Sequence, residues 1–120
     1  MNITIYHNPR CRKSREALNY IIEKKINYTL VKYLEEKFNS KTLSEVLMKL
    51  KMKPEELVRE NEKIWINKYK GKSLSDEKLI EILVRNEKLI ERPIITYKND
   101  GVVGRPIENL VDFLKKINNP

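Results

Sequence analysis

One segment of this 120-residue chain, residues 6–15, constrains its fold and chemistry more than any other. It contains the only cysteine, Cys11, and the only histidine, His7. An apolar run at residues 2–6 precedes the segment and predicts a β-strand, whereas the apolar residues after it recur at helical spacing. These later residues are Ala17, Leu18, Ile21 and Ile22. The cysteine is therefore predicted to lie where a first strand leads into a helix.

The predicted position of Cys11 favours its ionised form. A helix N-terminus presents unpaired backbone N–H groups and the positive end of the helix dipole, which stabilise a thiolate and attract oxyanions. Four cationic side chains lie within four residues of the sulfur: Arg10, Arg12, Lys13 and Arg15. Such surroundings lower the pKa of a cysteine, so that the nucleophilic thiolate dominates at neutral pH. The alternative is a small buried apolar cysteine, but four neighbouring cations are a poor environment for burial.

The length fits a single domain covering residues 1–120, large enough to bury a core without metal or disulfide cross-links. One cysteine cannot form an internal disulfide, which indicates a reducing compartment. No charged and apolar leader precedes the first strand, and no apolar run approaches the length of a membrane span. We therefore expect a cytoplasmic monomer with no membrane association, no metal site and no bound cofactor.

The formal net charge of +8 raises the possibility of a nucleic-acid partner. The lysines are scattered and interleaved with glutamates, however, which is the pattern of a solvated surface. The arginines are placed differently. Three flank the cysteine, Arg59 follows an apolar pair, Arg92 and Arg105 each precede a proline, and only Arg85 has no such setting. We therefore expect no nucleic-acid binding, and we assign the arginines to places that need a planar, permanently charged group.

The first third of the chain predicts a β-α-β unit. The first strand, residues 2–6, is followed by a turn at Asn8 and Pro9 and by a helix from about residue 11 to residue 25. Residues 28–33 are rich in β-branched and aromatic side chains and predict a second strand. That strand is parallel to the first if the helix crosses between them.

The rest of the chain predicts a helical insertion, residues 40–90, and a β-β-α ending. Helices are expected from Ser40, which is placed to cap, from Pro54 and from Ser75, and residues 64–66 are expected to be core. Residues 94–97 and 102–104 predict an antiparallel hairpin with a positive φ at Gly101. A last helix opens at Pro106. The prediction is an α/β fold with a four-stranded mixed sheet and helices packed on it.

Several short motifs, taken together and in order, carry a resemblance to a known family. They are residues 5–9 leading to Cys11, Ser14 and Arg15, residues 57–61, residues 92–94 before the hairpin, and residues 104–106 at its end. Over essentially the whole chain they resemble the glutaredoxin-coupled arsenate reductases, within the thioredoxin-like fold. Each motif alone is a weak signal, and the combination at these spacings is specific.

The resemblance implies a role for each matching residue. Cys11 is the expected nucleophile, and His7 and Ser14 are neighbours that favour its thiolate. The expected oxyanion cradle is Arg59, Arg92 and Arg105, and the expected structural residues of the site are Asn8 and Pro93. Simpler readings stay open, since Arg59 would also suit a helix surface and His7 would also suit a packing role. Pro93 resembles the cis-proline of the superfamily, or is a trans proline at the first residue of a strand.

The resemblance also implies a reaction cycle with named partners. The Cys11 thiolate attacks arsenate, glutathione attacks the resulting adduct as co-substrate, and glutaredoxin reduces it so that arsenite leaves. A lone cysteine fits this cycle, because without a second thiol in the chain the resolving sulfur must come from outside.

Two features qualify the resemblance. Many reductases of this group have small residues beside the cysteine, whereas this chain has Arg10 and Arg12, a difference that bears on which anion is accepted and on docking of glutaredoxin. The main alternative is a non-enzymatic regulator similar to Spx, which shares the fold and binds RNA polymerase. Those regulators often carry a Cys-x-x-Cys switch at this turn, but the fourth position here is Ser14. A relative acting on another thiol-linked substrate is a third possibility.

Overall fold

The computed structural model describes residues 1–118. Four strands form one mixed sheet in the order β2-β1-β3-β4, with β1 and β2 parallel and the other neighbours antiparallel. The strands are β1 (Asn2–His7), β2 (Asn27–Lys32), β3 (Ile94–Tyr97) and β4 (Asp100–Val103). The predicted β-α-β unit and C-terminal hairpin are both present, with strand limits within one or two residues of those expected.

The register of the sheet gathers three loops at one end of it. Ile94, the first residue of β3, pairs with Tyr6 of β1 and with Val103 of β4. The C-terminal ends of β1 and β4 therefore meet the N-terminal end of β3. The segments that carry the predicted site residues, 8–11, 92–93 and 104–105, all extend from this end of the sheet.

Helices cover both faces of the sheet. They are α1 (Arg12–Glu23), α2 (Ser40–Leu50), α3 (Lys63–Lys68), α4 (Asp76–Arg85) and α5 (Ile107–Asn118), together with the 3-10 helices Pro54–Leu57 and Glu87–Leu89. Helices α1 and α5 pack on one face around Ile5 and Ile95, and the helical insertion packs on the other face around Ile94. Neighbouring strand residues point to opposite faces, so Ile94 and Ile95 belong to different cores. None of the helices within residues 1–118 is long and apolar enough to cross a membrane.

The helical insertion lies where it was predicted, but two of its details differ. Asn39, not Ser40, is the N-cap of α2, because its side chain accepts the backbone N–H of Thr42 at 2.8 Å while the Thr42 hydroxyl accepts the N–H of Asn39 at 2.9 Å. This is a reciprocal capping box. Ile66 was expected in the core and is 46% exposed, since the short α3 turns only one side toward the core. Ser75 caps α4 as predicted.

The predicted positive φ at Gly101 is wrong. The hairpin turns through Lys98 and Asn99, and Lys98 has the positive φ, 53°. Because the connection is shorter than expected, Gly101 lies inside β4 and pairs with Thr96. The last helix begins at Ile107, one residue later than the predicted start at Pro106.

Gly104 lies in close contact with the core just before Arg105. Its N–H donates to the Pro93 carbonyl at 2.8 Å, and a Cβ added to Gly104 would come within 2.9 Å of the Ile95 side chain.

Gly104→Ala is expected to lower the free energy of unfolding by about 1–3 kcal/mol, because Ile95 is fully buried and must move. Urea titration would measure the change. Met48→Ala, at a side chain 77% exposed, serves as control and is expected to change it by less than about 0.5 kcal/mol.

Candidate active site

The loop between β1 and α1 is folded around Asn8. Its carbonyl accepts the backbone N–H of Cys11 at 3.0 Å, and its side-chain oxygen accepts the N–H of Arg10 at 3.0 Å. Cys11 has extended backbone angles, φ −92° and ψ 123°, and occupies the N-cap position of α1. The cysteine therefore lies at the junction of strand and helix, as the sequence predicted.

Ser14 and His7 hold the loop that carries Cys11. Ser14 is fully buried, and its Oγ lies 2.7 Å from His7 Nδ1 and accepts the Asn8 N–H at 3.0 Å. Burial lowers the pKa of His7, and the positive charges of Lys32 and Arg15 lower it further, against the opposing effect of Ser14. We therefore expect His7 to be neutral at pH 7, and its contacts point to loop positioning rather than to supplying a positive charge.

The environment of Cys11 favours the thiolate on balance. Burial of the sulfur raises its pKa and is the largest single influence. The backbone N–H groups of Ser14 and Lys13 and the guanidinium of Arg92 act in the opposite direction and together outweigh burial, so the pKa of Cys11 is lowered. The helix N-terminus acts as predicted, and Ser14 contributes through its backbone N–H while its hydroxyl is engaged with His7.

Arg92 is the predicted cradle arginine whose guanidinium lowers the pKa of Cys11. Its Nη1 donates to the carbonyl of Lys88 at 3.1 Å and, more weakly, to that of Ile90 at 3.4 Å. These bonds fix the guanidinium, while its Nε is buried and has no hydrogen-bond partner within residues 1–118. The Arg92–Pro93 peptide bond is cis, which answers the question that the sequence left open, and the Arg105–Pro106 bond is also cis.

An isolated backbone bridge between Val58 and Ile90 positions Arg59 beside Glu91. Val58 pairs with Ile90 in antiparallel fashion, the Arg59 N–H donates to the Leu89 carbonyl at 2.8 Å, and the Glu91 N–H donates to the Leu57 carbonyl at 2.8 Å. All four apolar side chains of this bridge are buried: Leu57, Val58, Leu89 and Ile90. The bridge ties the segment before α3 to the segment before β3, so that Arg59 lies beside Glu91.

Glu91 links two of the predicted cradle residues. Its Oε1 lies 3.7 Å from Arg59 Nε and 3.5 Å from Arg105 Nη1. Arg59 also lies 3.3 Å from Glu62 Oε1. The structure thus brings Arg59, Arg92 and Arg105 together at the end of the sheet, and it adds Glu91, whose carboxylate the sequence analysis did not include.

Tyr33 is a second residue that the sequence analysis missed, having counted it only as part of a strand. It is 1% exposed, and burial raises the pKa of its hydroxyl against the opposing effects of Arg92 and of the nearby Asn8 side chain. The hydroxyl has no well-formed hydrogen bond within the described chain. A tyrosine that ends an apolar strand is common in cores, so its pattern in the sequence carried no signal of a site.

The cradle is open to solvent on one side. Arg59, Glu91 and Arg105 also line a groove of about 1180 Å³ between the segment before α3 and the end of α4. Within residues 1–118, no three or more His, Cys, Asp or Glu side chains cluster in a way that could hold a metal ion. What the site presents is therefore one ionisable sulfur and several cationic N–H donors, of which Arg59 and Arg105 border the groove.

Comparison with known proteins identifies the family and the fold of this chain. The model of the ArsC family matches residues 6–113. The chain is 40% identical to the uncharacterised protein YfgD of Escherichia coli over 93% of this chain and 96% of that one, and 33% identical to an arsenate reductase of Neisseria meningitidis over 90% and 94%. The structure of an arsenate reductase from Vibrio cholerae superimposes with a TM-score of 0.88 at 33% identity, covering 93% of this chain and 97% of that one. The predicted thioredoxin-like fold is confirmed.

The lowered pKa of Cys11 predicts a reactive thiol. Alkylation by iodoacetamide is expected to stay fast below the pH at which an ordinary cysteine loses reactivity, and to fall only as the pH drops through the lowered pKa. Arg92→Ala is expected to move the midpoint to higher pH, because it removes the guanidinium that lowers the pKa of the sulfur. Mass spectrometry of the alkylated peptide gives the rate at each pH.

The matched control is Arg85→Ala, which removes an exposed guanidinium that pairs with Glu81 on α4. It is expected to leave the midpoint unchanged. Equal midpoints for Arg92→Ala and the unsubstituted protein would contradict a role for Arg92 in stabilising the thiolate.

Proposed function

This chain belongs to the ArsC family, and from that premise we propose that it is an arsenate reductase that uses Cys11 as its nucleophile. Several arsenate reductases are similar to it over nearly their whole length, among them those of Neisseria meningitidis and Haemophilus influenzae. The proposed co-substrate is glutathione, and the proposed reductant is glutaredoxin.

The observation that carries this proposal is a set of buried polar groups without hydrogen-bond partners on residues of the predicted site and on Tyr33. Arg92 Nε, Arg105 Nη1 and the Tyr33 hydroxyl are all buried and lack a hydrogen-bond partner within residues 1–118. Leaving one such group unpaired costs about 1–3 kcal/mol, so several together call for an explanation. A tetrahedral oxyanion offers acceptor oxygens in several directions and would satisfy them.

The arginines address the electrostatic obstacle of the reaction. A thiolate and a multiply charged oxyanion repel each other, and the anion can approach only where its charge is neutralised. Guanidinium groups provide paired N–H donors suited to such oxygens. In the proposed arrangement Arg92 contacts both the sulfur and the anion, while Arg59 and Arg105 hold the outer oxygens and stabilise the charge that develops on them.

The proposed chemistry proceeds in three steps. The thiolate of Cys11 bonds to arsenic and displaces one oxygen as water, which forms a thiol-arsenate adduct without a change of oxidation state. Glutathione then adds through its sulfur and releases a second water. A glutaredoxin thiol attacks the glutathione sulfur, two electrons pass to arsenic, and addition of water releases arsenite. Overall, arsenate, glutathione and glutaredoxin thiol give arsenite, a mixed disulfide and one water.

The single cysteine supports dependence on external thiols. With Cys11 as the only thiol in the chain, an adduct on it must be resolved by a sulfur from another molecule. A cycle that consumes thiols needs a reducing compartment, which supports a cytoplasmic location.

A coupled assay with arsenate, glutathione and glutaredoxin tests the proposal. Cys11→Ser is expected to abolish arsenite formation, because a serine hydroxyl is not ionised near pH 7. Arg92→Ala is expected to lower kcat/KM by about 100-fold or more, the usual effect of removing a charge-stabilising donor from a transition state. Arg85→Ala is the control and is expected to keep the activity of the unsubstituted protein.

Two outcomes would contradict the proposal. Full activity in the Cys11→Ser protein would show that Cys11 is not the nucleophile. Absence of arsenite formation combined with co-purification of RNA polymerase would instead favour the regulator alternative.

A further inference from the structure

One carboxylate oxygen lies between two of the arginines of the proposed anion site. Glu91 Oε1 is 3.7 Å from Arg59 Nε, 3.5 Å from Arg105 Nη1 and 3.3 Å from the backbone nitrogen of Arg92. The same oxygen therefore contacts the guanidinium groups of Arg59 and Arg105 and the backbone N–H of Arg92. An oxygen of a bound oxyanion would need the same donors.

The contacts of Glu91 are those of a loosely held ion. Good N–H···O bonds have a donor–acceptor distance of roughly 2.7–3.2 Å, and both guanidinium contacts are longer. Arg105 Nη1 makes no true hydrogen bond despite its position beside the carboxylate. The carboxylate therefore neutralises positive charge while leaving the donors free for a better acceptor.

Glu91 has the freedom to leave the cradle. Its backbone is held by the hydrogen bond to the Leu57 carbonyl at 2.8 Å, whereas its side chain is 29% exposed and borders the open groove. The side chain can rotate toward solvent without disturbing the bridge between Val58 and Ile90. Displacement of the carboxylate thus requires no rearrangement of the fold.

We propose that Glu91 is an internal counter-ion that occupies the cradle in the absence of substrate and competes with the incoming oxyanion. This inference rests on the proposed function for the identity of the anion. The carboxylate offsets repulsion between Arg59 and Arg105 in the free protein. An anion that binds these guanidinium groups more weakly than Glu91 does cannot displace the carboxylate. Glu91 therefore acts on affinity and selectivity rather than on the chemical steps.

Glu91→Gln isolates the charge of this group. Glutamine has nearly the same shape, and its amide oxygen can still accept the N–H of Arg92. Arsenate would be titrated by calorimetry into the Cys11→Ser protein, in which no adduct can form, with and without Glu91→Gln. The expected result is that arsenate binds about tenfold more tightly after Glu91→Gln, because a like charge in contact with the anion site is removed.

Glu62→Gln is the matched control. Glu62 also pairs with Arg59, at 3.3 Å, and its side chain is about as exposed as that of Glu91. Within residues 1–118, however, Glu62 forms an ion pair with Arg59 alone. We expect Glu62→Gln to change the dissociation constant by less than about threefold, since a partly exposed charge that pairs with only one of the arginines is largely screened by solvent. Glu91→Ala is a second test variant and is expected to tighten binding in the same direction.

The sign of the effect separates this proposal from a purely structural role. If Glu91 served to orient Arg59 and Arg105, its substitution would weaken arsenate binding, and that result would overturn the proposal. An unchanged dissociation constant, or equal changes for Glu91→Gln and Glu62→Gln, would also overturn it.

The outcome for Glu91 can be distinguished from that of the proposed function. If Arg92→Ala removes arsenate binding while Glu91→Gln leaves it unchanged, the result supports the proposed oxyanion site and contradicts the counter-ion role of Glu91. If no variant, including Glu91→Gln, binds arsenate, both are overturned.

Discussion

The pairing of Ile94 with both Tyr6 and Val103 is the constraint on which the site depends. It aligns the end of β1, the start of β3 and the end of β4, and so places Cys11, Arg92 and Arg105 at one end of the sheet. A shift of one residue would exchange the faces of β3, moving Ile94 and Ile95 out of their separate cores. Burial of these side chains thus holds the geometry of the candidate site in place.

Gathering like charges beside a sulfur has an electrostatic cost that the fold offsets locally. Arg92 is held by two backbone carbonyls, and Arg59 and Arg105 share the carboxylate of Glu91. These contacts allow the cradle to exist before any anion arrives. They also explain how a loosely bound carboxylate and several free donors coexist at one site. In the role proposed for Glu91, the carboxylate that offsets the charge of Arg59 and Arg105 would also make the site selective, since an incoming anion must provide better acceptors.

Much of the fold was accessible from local patterns. An apolar run, β-branched and aromatic composition and a hairpin signal predicted the four strands, helical apolar spacing predicted the helical insertion, and Ser75 was recognised as a cap because its side chain acts within one turn. The errors arose where neighbours compete. Asn39 and Ser40 are both good caps, and which residue acts depends on where the chain leaves the extended conformation. Gly101 was assigned to a turn on its flexibility, whereas the close pairing of β3 and β4 placed it in the strand.

The sequence by itself determined that one cysteine lies at a helix N-terminus among cations, because the strand, turn and helix signals all lie within residues 2–22 and are local. It also singled out Arg59, Arg92 and Arg105 as candidates, through their motifs. Only the tertiary structure decided that these arginines converge, because convergence depends on sheet register and on the bridge between Val58 and Ile90, which join segments about thirty to ninety residues apart. Tyr33 and Glu91 emerged only at that level, since a buried hydroxyl without a partner and a carboxylate between two guanidinium groups are properties of packing in three dimensions.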